Sequence, residues 1–425
     1  MDIDDILKLS RVSRVIKPRI YQDSLCIKCR GRDLLCGKPI CPVITEYKVF
    51  LDSLRDIDRE DIHGSSPPSI FVGRIGYPKV VLGAMVPPES GDTSLYDYPE
   101  RWDNLGLIDI LRFRSRLVMG WYRVDRNIPS RMQREYMDLL DISLSRTSPE
   151  VEMGLKARPV KVIDIDEDIT PFGPRAPVKK ISIGTLKIDY KILKRVEDWD
   201  LRAGEAVIEL YREGVDVSRI IRVFSIGGLG VKRNRVLVPT RWSITAVDDI
   251  IGRWLYTKVR GFPPIDKYLV FEYSYLENRY VALMIPETWM YEFMEAWYPG
   301  TFWNRVGEGV IVEGDYEIGR PRKEYAEIGG CYYAARLATL EYLHKIGRTA
   351  GVVIFREAYP GYIFPVGVWS VRESVRRMYR RSPIEFGCLE EALEYIYSRL
   401  RTPSHMWRSR VLEFLSRQRR ISDYL

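Results

Sequence analysis

The sequence predicts an α+β protein, a large mixed core of short strands and helices with an N-terminal zinc knot and a C-terminal helical segment that ends in a peptide tail. Three observations lead there. Stretches with apolar residues at helical spacing stand beside runs that alternate apolar and polar. Glycines and prolines punctuate Gly73, Gly76, Pro78, Gly83 and Pro87-Pro88 as in short strands joined by tight turns. Four of the six cysteines fall between Cys26 and Cys41. At 425 residues the chain is long enough for one large core or two medium ones, and 46% hydrophobic with 29% charged residues is the balance of a soluble globular protein.

In chain order, residues 1–20 read as amphipathic, with Ile6, Leu7, Val12, Val15 and Ile16 set among Lys8, Arg11, Arg14 and Lys17. The cysteine knot follows, then a helical stretch at 47–58, the loop His63–Ser69 and a strand over Ile70–Arg74. A helix is expected near 131–144. The acidic run Asp164–Asp168 meets Pro171-Phe-Gly-Pro174 and Pro177, which makes 164–178 the best internal seam. Leu201–Glu213 places Ala203, Ala206, Val207 and Leu210 on one helical face and stops at Gly214. Lys267–Leu276 and Arg279–Pro286 alternate around Glu277-Asn278 as a β-hairpin. Further helices are expected at 332–345, 371–380 and 388–400. The organisation predicted is therefore a segment 1–45 carrying the knot, a core 46–410 and a tail 411–425.

No run reaches the roughly 18 apolar residues of a membrane span, and the start Met1-Asp-Ile-Asp-Asp-Ile-Leu is acidic where a signal peptide would be basic. A cytoplasmic protein with no membrane partner is expected. The net charge of +8 suits a polyanion such as DNA, although over this length it discriminates little. Three glutamines and five asparagines among abundant charges are the pattern of hyperthermophile proteins.

Cys26, Cys29, Cys36 and Cys41 have ligand spacing for a tetrahedral zinc ion, with turns available at Gly31, Gly37 and Pro39. Four protein ligands leave no open position, so the zinc is structural. Cys331 and Cys388 read as buried thiols or one disulfide, and His63, His344 and His405 share no metal spacing. Glu313, Asp315 and Glu317 alternate on one strand face, which reads as a solvated face before a Mg²⁺ site. Arg356-Glu357 and Arg372-Glu373 suit internal ion pairs.

Two segments suggest phosphate binding. Gly227, Gly228 and Gly230 precede Lys232 and Arg233, so backbone N–H groups and cations could meet an anion, with an ordinary glycine turn as the plainer reading. Val236–Val238 reads as a strand, and Thr245-x-x-Asp248 resembles a capping box at a helix start. Thr240, Arg241, Ser243 and Thr245 would then converge beside unpaired helix N–H groups.

The tail is the sharpest signal. In Gln418-x-x-Ile421-x-x-Tyr424-Leu425, one helical turn brings Ile421, Tyr424 and Leu425 to one side as an apolar plug, with Gln418 a turn earlier for a polar pocket. Arg417, Arg419 and Arg420 add attraction to an acidic partner. This is the spacing of a peptide that docks on the DNA polymerase sliding clamp (PCNA), with Leu425 standing where a second aromatic is usual.

The four-cysteine knot, Ser66-Pro-Pro-Ser-Ile-Phe-Val-Gly-Arg74 with Gly76-Tyr-Pro78, the segment Leu237–Asp249, Gly329–Arg336, Gly367–Glu373 and the tail together resemble the archaeal Nre family of DNA-repair proteins. The resemblance implies a role in tolerance of DNA damage through the clamp, and it implies no catalytic residue. The leading expectation is a clamp-recruited repair factor with a structural zinc knot and a core that binds phosphate or nucleic acid. Two alternatives stand beside it: an enzyme acting on nucleotides or DNA ends, and a repair adaptor without chemistry.

Overall fold

A computed structural model describes residues 57, 59–160, 169–170, 172–301, 303–304, 309–362 and 365–417. The amphipathic opening, the cysteine knot with its zinc ligands, nearly all of the helix expected at 47–58, the run 164–168 and the tail 418–425 lie outside the described residues. The class is α+β, as expected, with two six-stranded sheets. No helix among the described residues is long and apolar enough to cross a membrane.

The chain divides into two compact units, and the division falls between Ile251 and Gly252, with Pro365–Gly367 returning to the first unit. The seam expected near 164–178 is not that division. Arg175–Ile183, at the end of that range, is an interior strand of the first unit's sheet.

The first unit holds strands β1 (Asp61–Ser65), β2 (Ser69–Val72), β3 (Lys79–Val86), β4 (Val118–Asp125), β5 (Glu150–Leu155) and β6 (Arg175–Ile183) in the order β1-β5-β6-β4-β3-β2. Only the β4–β6 pair is parallel; the other neighbours run antiparallel. Its helices are α1 (Leu107–Ser115), α2 (Ile128–Arg131), α3 (Arg134–Leu144), α4 (Tyr190–Glu197), α5 (Ala203–Arg212), α6 (Val217–Ser225) and the first part of α7 (Thr240–Val259). On α5 the buried side chains are Ala206, Val207 and Leu210, the stripe the sequence marks out, and the chain turns at Gly214 with a positive φ.

The second unit holds β7 (Tyr268–Tyr275), β8 (Asn278–Ile285), β9 (Met290–Trp297), β10 (Ile311–Ile318), β11 (Gly351–Ala358) and β12 (Ile384–Phe386), ordered β10-β9-β11-β8-β7-β12. The expected hairpin is β7–β8, but its two-residue turn is Leu276-Glu277, one position earlier than predicted, with both residues at positive φ. Asn278 is the first paired residue, opposite Tyr275. Helices α8 (Gly330–Ile346), α9 (Trp369–Met378), α10 (Leu389–Arg399) and α11 (Arg410–Arg417) complete the unit.

Side chains that alternate along a strand leave by opposite faces, and here both faces are covered. Val281, Leu283, Val353 and Phe355 pack with Ile396, Trp407 and Val411 from the α10–α11 region. On the other face Phe271 meets Tyr342 and Tyr379 edge-on, and Tyr291 meets Tyr332, so α8 and α9 lie there. All eight residues of β9 and of β11 are buried.

Several of those buried residues are charged. Arg356 donates to Glu295, and its Nε and Nη2 reach Asn278 Oδ1 at 3.0 and 2.8 Å. Its guanidinium lies 4.8 Å from the Trp297 ring centre and under 6 Å from those of Tyr280 and Tyr362. Arg356 thus pairs with Glu295 across neighbouring strands, while the adjacent Glu357 accepts from the backbone N–H groups of Arg401 and Thr402. Arg372 and Glu373 stand 3.8 Å apart, and Glu373 also accepts from Arg376 at 2.7 Å.

The solvated acidic face expected on β10 is mostly buried. Asp315 pairs with Arg322 at 2.6 Å, and Glu317 accepts from Trp289 Nε1, Arg336 Nε and the Tyr332 hydroxyl at 2.8, 2.8 and 3.1 Å. Glu313 alone of the three is exposed. Carboxylates so committed to cationic and N–H partners make no cation cage, and no metal-holding group of His, Cys, Asp or Glu occurs among the described residues.

Candidate functional site

The glycine segment is built as a helix stop. After α6, Gly227 N donates to Phe224 O and Gly228 N to Val223 O, both at 3.0 Å, satisfying carbonyls the helix end leaves open. Gly227 has φ +72°, and a Cβ there would stand 2.5 Å from Val236 O. The N–H groups of Gly227 and Gly228 are thus spent on the negative end of a helix, as in the plainer reading of an ordinary glycine turn. Gly230 contributes its carbonyl to Arg235 Nε at 2.7 Å. Lys232 lies over the Trp199 ring, 3.5 Å from its centre, and Arg233 is exposed.

The next segment also differs from expectation. Residues 235–239 form no strand; Leu237 N and Val238 N donate instead to Arg126 O and Ser225 O. The helix starts at Thr240, five residues before the predicted cap, because Pro239 fixes the backbone just ahead of it. Ser243 is therefore inside the first turns, fully buried, with its hydroxyl shared between Val238 O and Pro239 O at 3.2 Å each. Thr245 is buried further along the same helix. Thr240 Oγ1 accepts from Val72 N at 2.9 Å and lies 3.2 Å from Ser225 Oγ, fastening β2 and α6 to the helix start. Thr240 and Ser243 thus turn their hydroxyls to different protein groups. Arg241 is half-buried, and Trp242 beside it is 47% exposed, 5.4 Å from the Tyr77 ring.

A cleft of about 1100 Å³ in the first unit lies elsewhere, and its wall includes Ser65 at the end of β1 and Pro67 and Pro68 of the loop after it. That loop is anchored by Ser66 Oγ to Met85 O at 2.9 Å and by Thr93 Oγ1 to Ser65 O at 2.6 Å. On α6, Arg219 and Arg222 stand three residues apart and so share a face. Arg222 Nε lies 3.6 Å from Asp97, which also accepts from Ser69 and from the buried Arg114. Asp97 thus faces two guanidinium groups at once. Burial lowers the Arg114 pKa, and the Asp97 charge opposes that shift.

Arg219 reaches Asp189 at 2.5 Å and Ser145 O at 3.2 Å. Burial alone would raise the Asp189 carboxyl, but the hydrogen bond and charge of Arg219 outweigh it and hold the carboxyl below its ordinary value. Tyr98 donates to Asp216, and burial first, then that bond, pushes its phenol well up. Arg101, Arg146, Lys187 and Lys191 line the same cleft with Asp92 and Glu150. With six basic and five acidic side chains in its lining, the cleft is fit to hold a polar, hydrogen-bonding ligand. None of the three histidines lines it; His63 is exposed on β1 opposite Glu152.

Sequence reasoning missed Asp97, Arg114, Asp189, Arg219 and Arg222. The one signal within reach was Arg219 and Arg222 on the polar side of a helix whose Ile220 and Ile221 are buried. In the second unit, Cys331 and Cys388 are partly buried and form no disulfide with each other, and Cys331 Sγ lies 3.7 Å from Arg356 Nη1.

Two family models match the chain, described as archaeal Nre, N-terminal, over residues 35–304 and archaeal Nre, C-terminal, over residues 317–424. The chain is 42% identical over 373 residues to DNA repair protein NreB of Archaeoglobus fulgidus, covering 87% of this chain and 92% of that one. It is 34% identical over 400 residues to DNA repair protein NreA of the same organism, covering 94% and 98%. To DNA repair protein NreA of Haloferax volcanii it is 31% identical over 389 residues, covering 89% of each. No solved structure matches.

Proposed function

Because the chain belongs to the archaeal Nre family, we propose that it is a cytoplasmic DNA-repair factor delivered to DNA by the sliding clamp, PCNA, through Gln418, Ile421, Tyr424 and Leu425. The observation that carries the reading is the tail pattern directly after a helix pinned to the second sheet. Glu292 of β9, itself buried, accepts from Ser409 Oγ and from the N–H groups of Arg410 and Val411 at 2.9 and 3.1 Å. Three donors on one carboxylate fix the start of α11. Leu412 and Leu415 pack on the core beneath, so the helix that precedes the tail in sequence has a firm base. Tethering raises the local concentration of the rest of the protein at DNA without any new contact.

The test is binding of purified full-length protein to the clamp by calorimetry. Gln418→Ala with Tyr424→Ala is expected to abolish binding; unchanged affinity defeats the reading. Cys26, Cys29, Cys36 and Cys41 would hold one structural zinc, since four thiolates at that spacing suit a closed tetrahedral site. Metal analysis of the purified chain should find about one zinc per molecule, and a Cys36→Ser, Cys41→Ser variant should lose it.

A second reading, an enzyme acting on nucleotides or DNA ends, is favoured by the cleft with Arg219 and Arg222 on its floor. Incubation with nucleotides and short DNAs, with and without Mg²⁺, tests it. Neither bound ligand nor altered product would defeat the enzyme reading and leave a repair adaptor without chemistry.

A further inference from the structure

The connection from β2 to β3 is a turn whose tip is apolar and exposed. Tyr77 N donates to Arg74 O and Lys79 N to Gly76 O, closing Arg74-Ile-Gly-Tyr-Pro-Lys79, and Ile75 is 81% exposed. Gly76 has φ +86°, and a Cβ there would come within 2.5 Å of Arg123 Nη2, so this glycine lets the β4 arginine cross close to the turn. Arg126, also from the end of β4, donates to the Tyr77 hydroxyl and holds its guanidinium 5.2 Å from that ring's centre. Trp242 closes the group from the first turn of α7, 5.4 Å from Tyr77 and 47% exposed.

Three separate elements therefore bring an exposed indole, a tyrosine ring and an isoleucine tip together among Arg74, Lys79, Arg123, Arg126 and Arg241. Asp125 lies on the same stretch, where its carboxylate accepts from Asn127 N and its charge also acts on Arg126 and Arg131. Large apolar side chains are normally withdrawn from a surface this basic unless something covers them. Cations alone would serve any polyanion, but the half-exposed indole of Trp242 narrows the choice. A base can stack on it while the arginines take the phosphates on either side. A duplex keeps its bases stacked on one another, and an acidic peptide brings no ring of this kind.

We propose that this surface of the first unit binds single-stranded DNA, with unpaired bases stacking on Trp242 and packing on Ile75, and with Arg123 and Arg126 on the phosphates. The choice of DNA over RNA rests on the repair function proposed above; the surface itself does not depend on the tail.

The test uses the purified full chain without clamp, a labelled oligo-dT and a duplex of equal length, read by fluorescence anisotropy over a salt series. The single strand should bind more tightly than the duplex. Trp242→Ala should weaken it about tenfold, and Arg123→Ala should weaken it and lower the salt slope by about one. Trp199→Ala, which removes another exposed tryptophan under a lysine, should change nothing. Equal affinity for duplex, an unchanged Trp242→Ala, or displacement of the oligonucleotide by a polyglutamate of equal charge would each overturn the proposal. A variant lacking clamp affinity should still bind the oligonucleotide, so failure of the clamp reading and failure of this one can be told apart.

Discussion

Arg356 offers a sharp test of how the second unit is held together. The residue is 1% exposed, and it donates to Glu295, 3% exposed, and to Asn278, 2% exposed. Replacing it with methionine keeps an unbranched chain of similar length among the Trp297, Tyr280 and Tyr362 rings, so the lost volume is small. What changes is the charge: the Glu295 carboxylate stays in the interior without this guanidinium. Breaking a buried pair from one side costs about 3–5 kcal/mol, a large part of the roughly 5–15 kcal/mol that keeps a domain folded. Urea unfolding of the full chain followed by tryptophan fluorescence measures it, since Trp297 lies against the guanidinium. Removing both charges should hurt less than removing one, so Arg356→Met with Glu295→Leu is expected to recover at least ~1 kcal/mol of the single variant's loss. A single variant that loses under ~1 kcal/mol, or a double variant as poor as the sum of its parts, would refute the account of this pair.

Glu292→Ala removes the acceptor at the start of α11 and should cost about 1–2 kcal/mol, with amide exchange accelerating at Arg410 and Val411 before the rest of the unit. Leu276→Asn places a residue suited to the left-handed region in the β7–β8 turn and should add up to ~1 kcal/mol, seen as a raised urea midpoint. The Asp189 carboxyl is held below its ordinary 3.8 in the folded chain, so its contribution is full above that value and is lost as pH falls through the depressed one. The stability gap between wild type and Asp189→Asn should therefore be flat from neutral pH to about 5 and narrow in stronger acid. A gap that widens on acidification would contradict the Arg219–Asp189 pairing.

Elements with a strong local pattern were legible in the sequence: α5 from its apolar stripe and Gly214, the β7–β8 hairpin from its alternation, and α8 to α10 from helical spacing. Strand β9 was not. Its sequence Met-Tyr-Glu-Phe-Met-Glu-Ala-Trp carries two glutamates, and nothing local tells that one caps α11 and the other meets Arg356 across the sheet. The same limit applies to the cleft, whose Asp97, Asp189 and Arg222 come from segments far apart in the chain. The segment Val236–Asp248 folds differently from the expected strand and capping box for a local reason that could have been read. Pro239 immediately before Thr240 is a better helix-start signal than the Thr245–Asp248 spacing, and it turns Ser243 inward.

The order of strands in the second sheet sets the order in which that sheet can be assembled. The β7–β8 hairpin closes through two residues, Leu276 and Glu277, so its first pairing confines little chain. The parallel pair β9–β11 joins Met290 to Gly351 and must hold a loop of about sixty residues before a single ladder bond repays the constraint. Until that closure β9 is a strand with an open edge, and it carries both interior glutamates. The hairpin is thus the natural template on which β11 docks, with β9 following. Kinetic traps in refolding belong to the interval between those two events, and destabilising the Leu276-Glu277 turn should lengthen it.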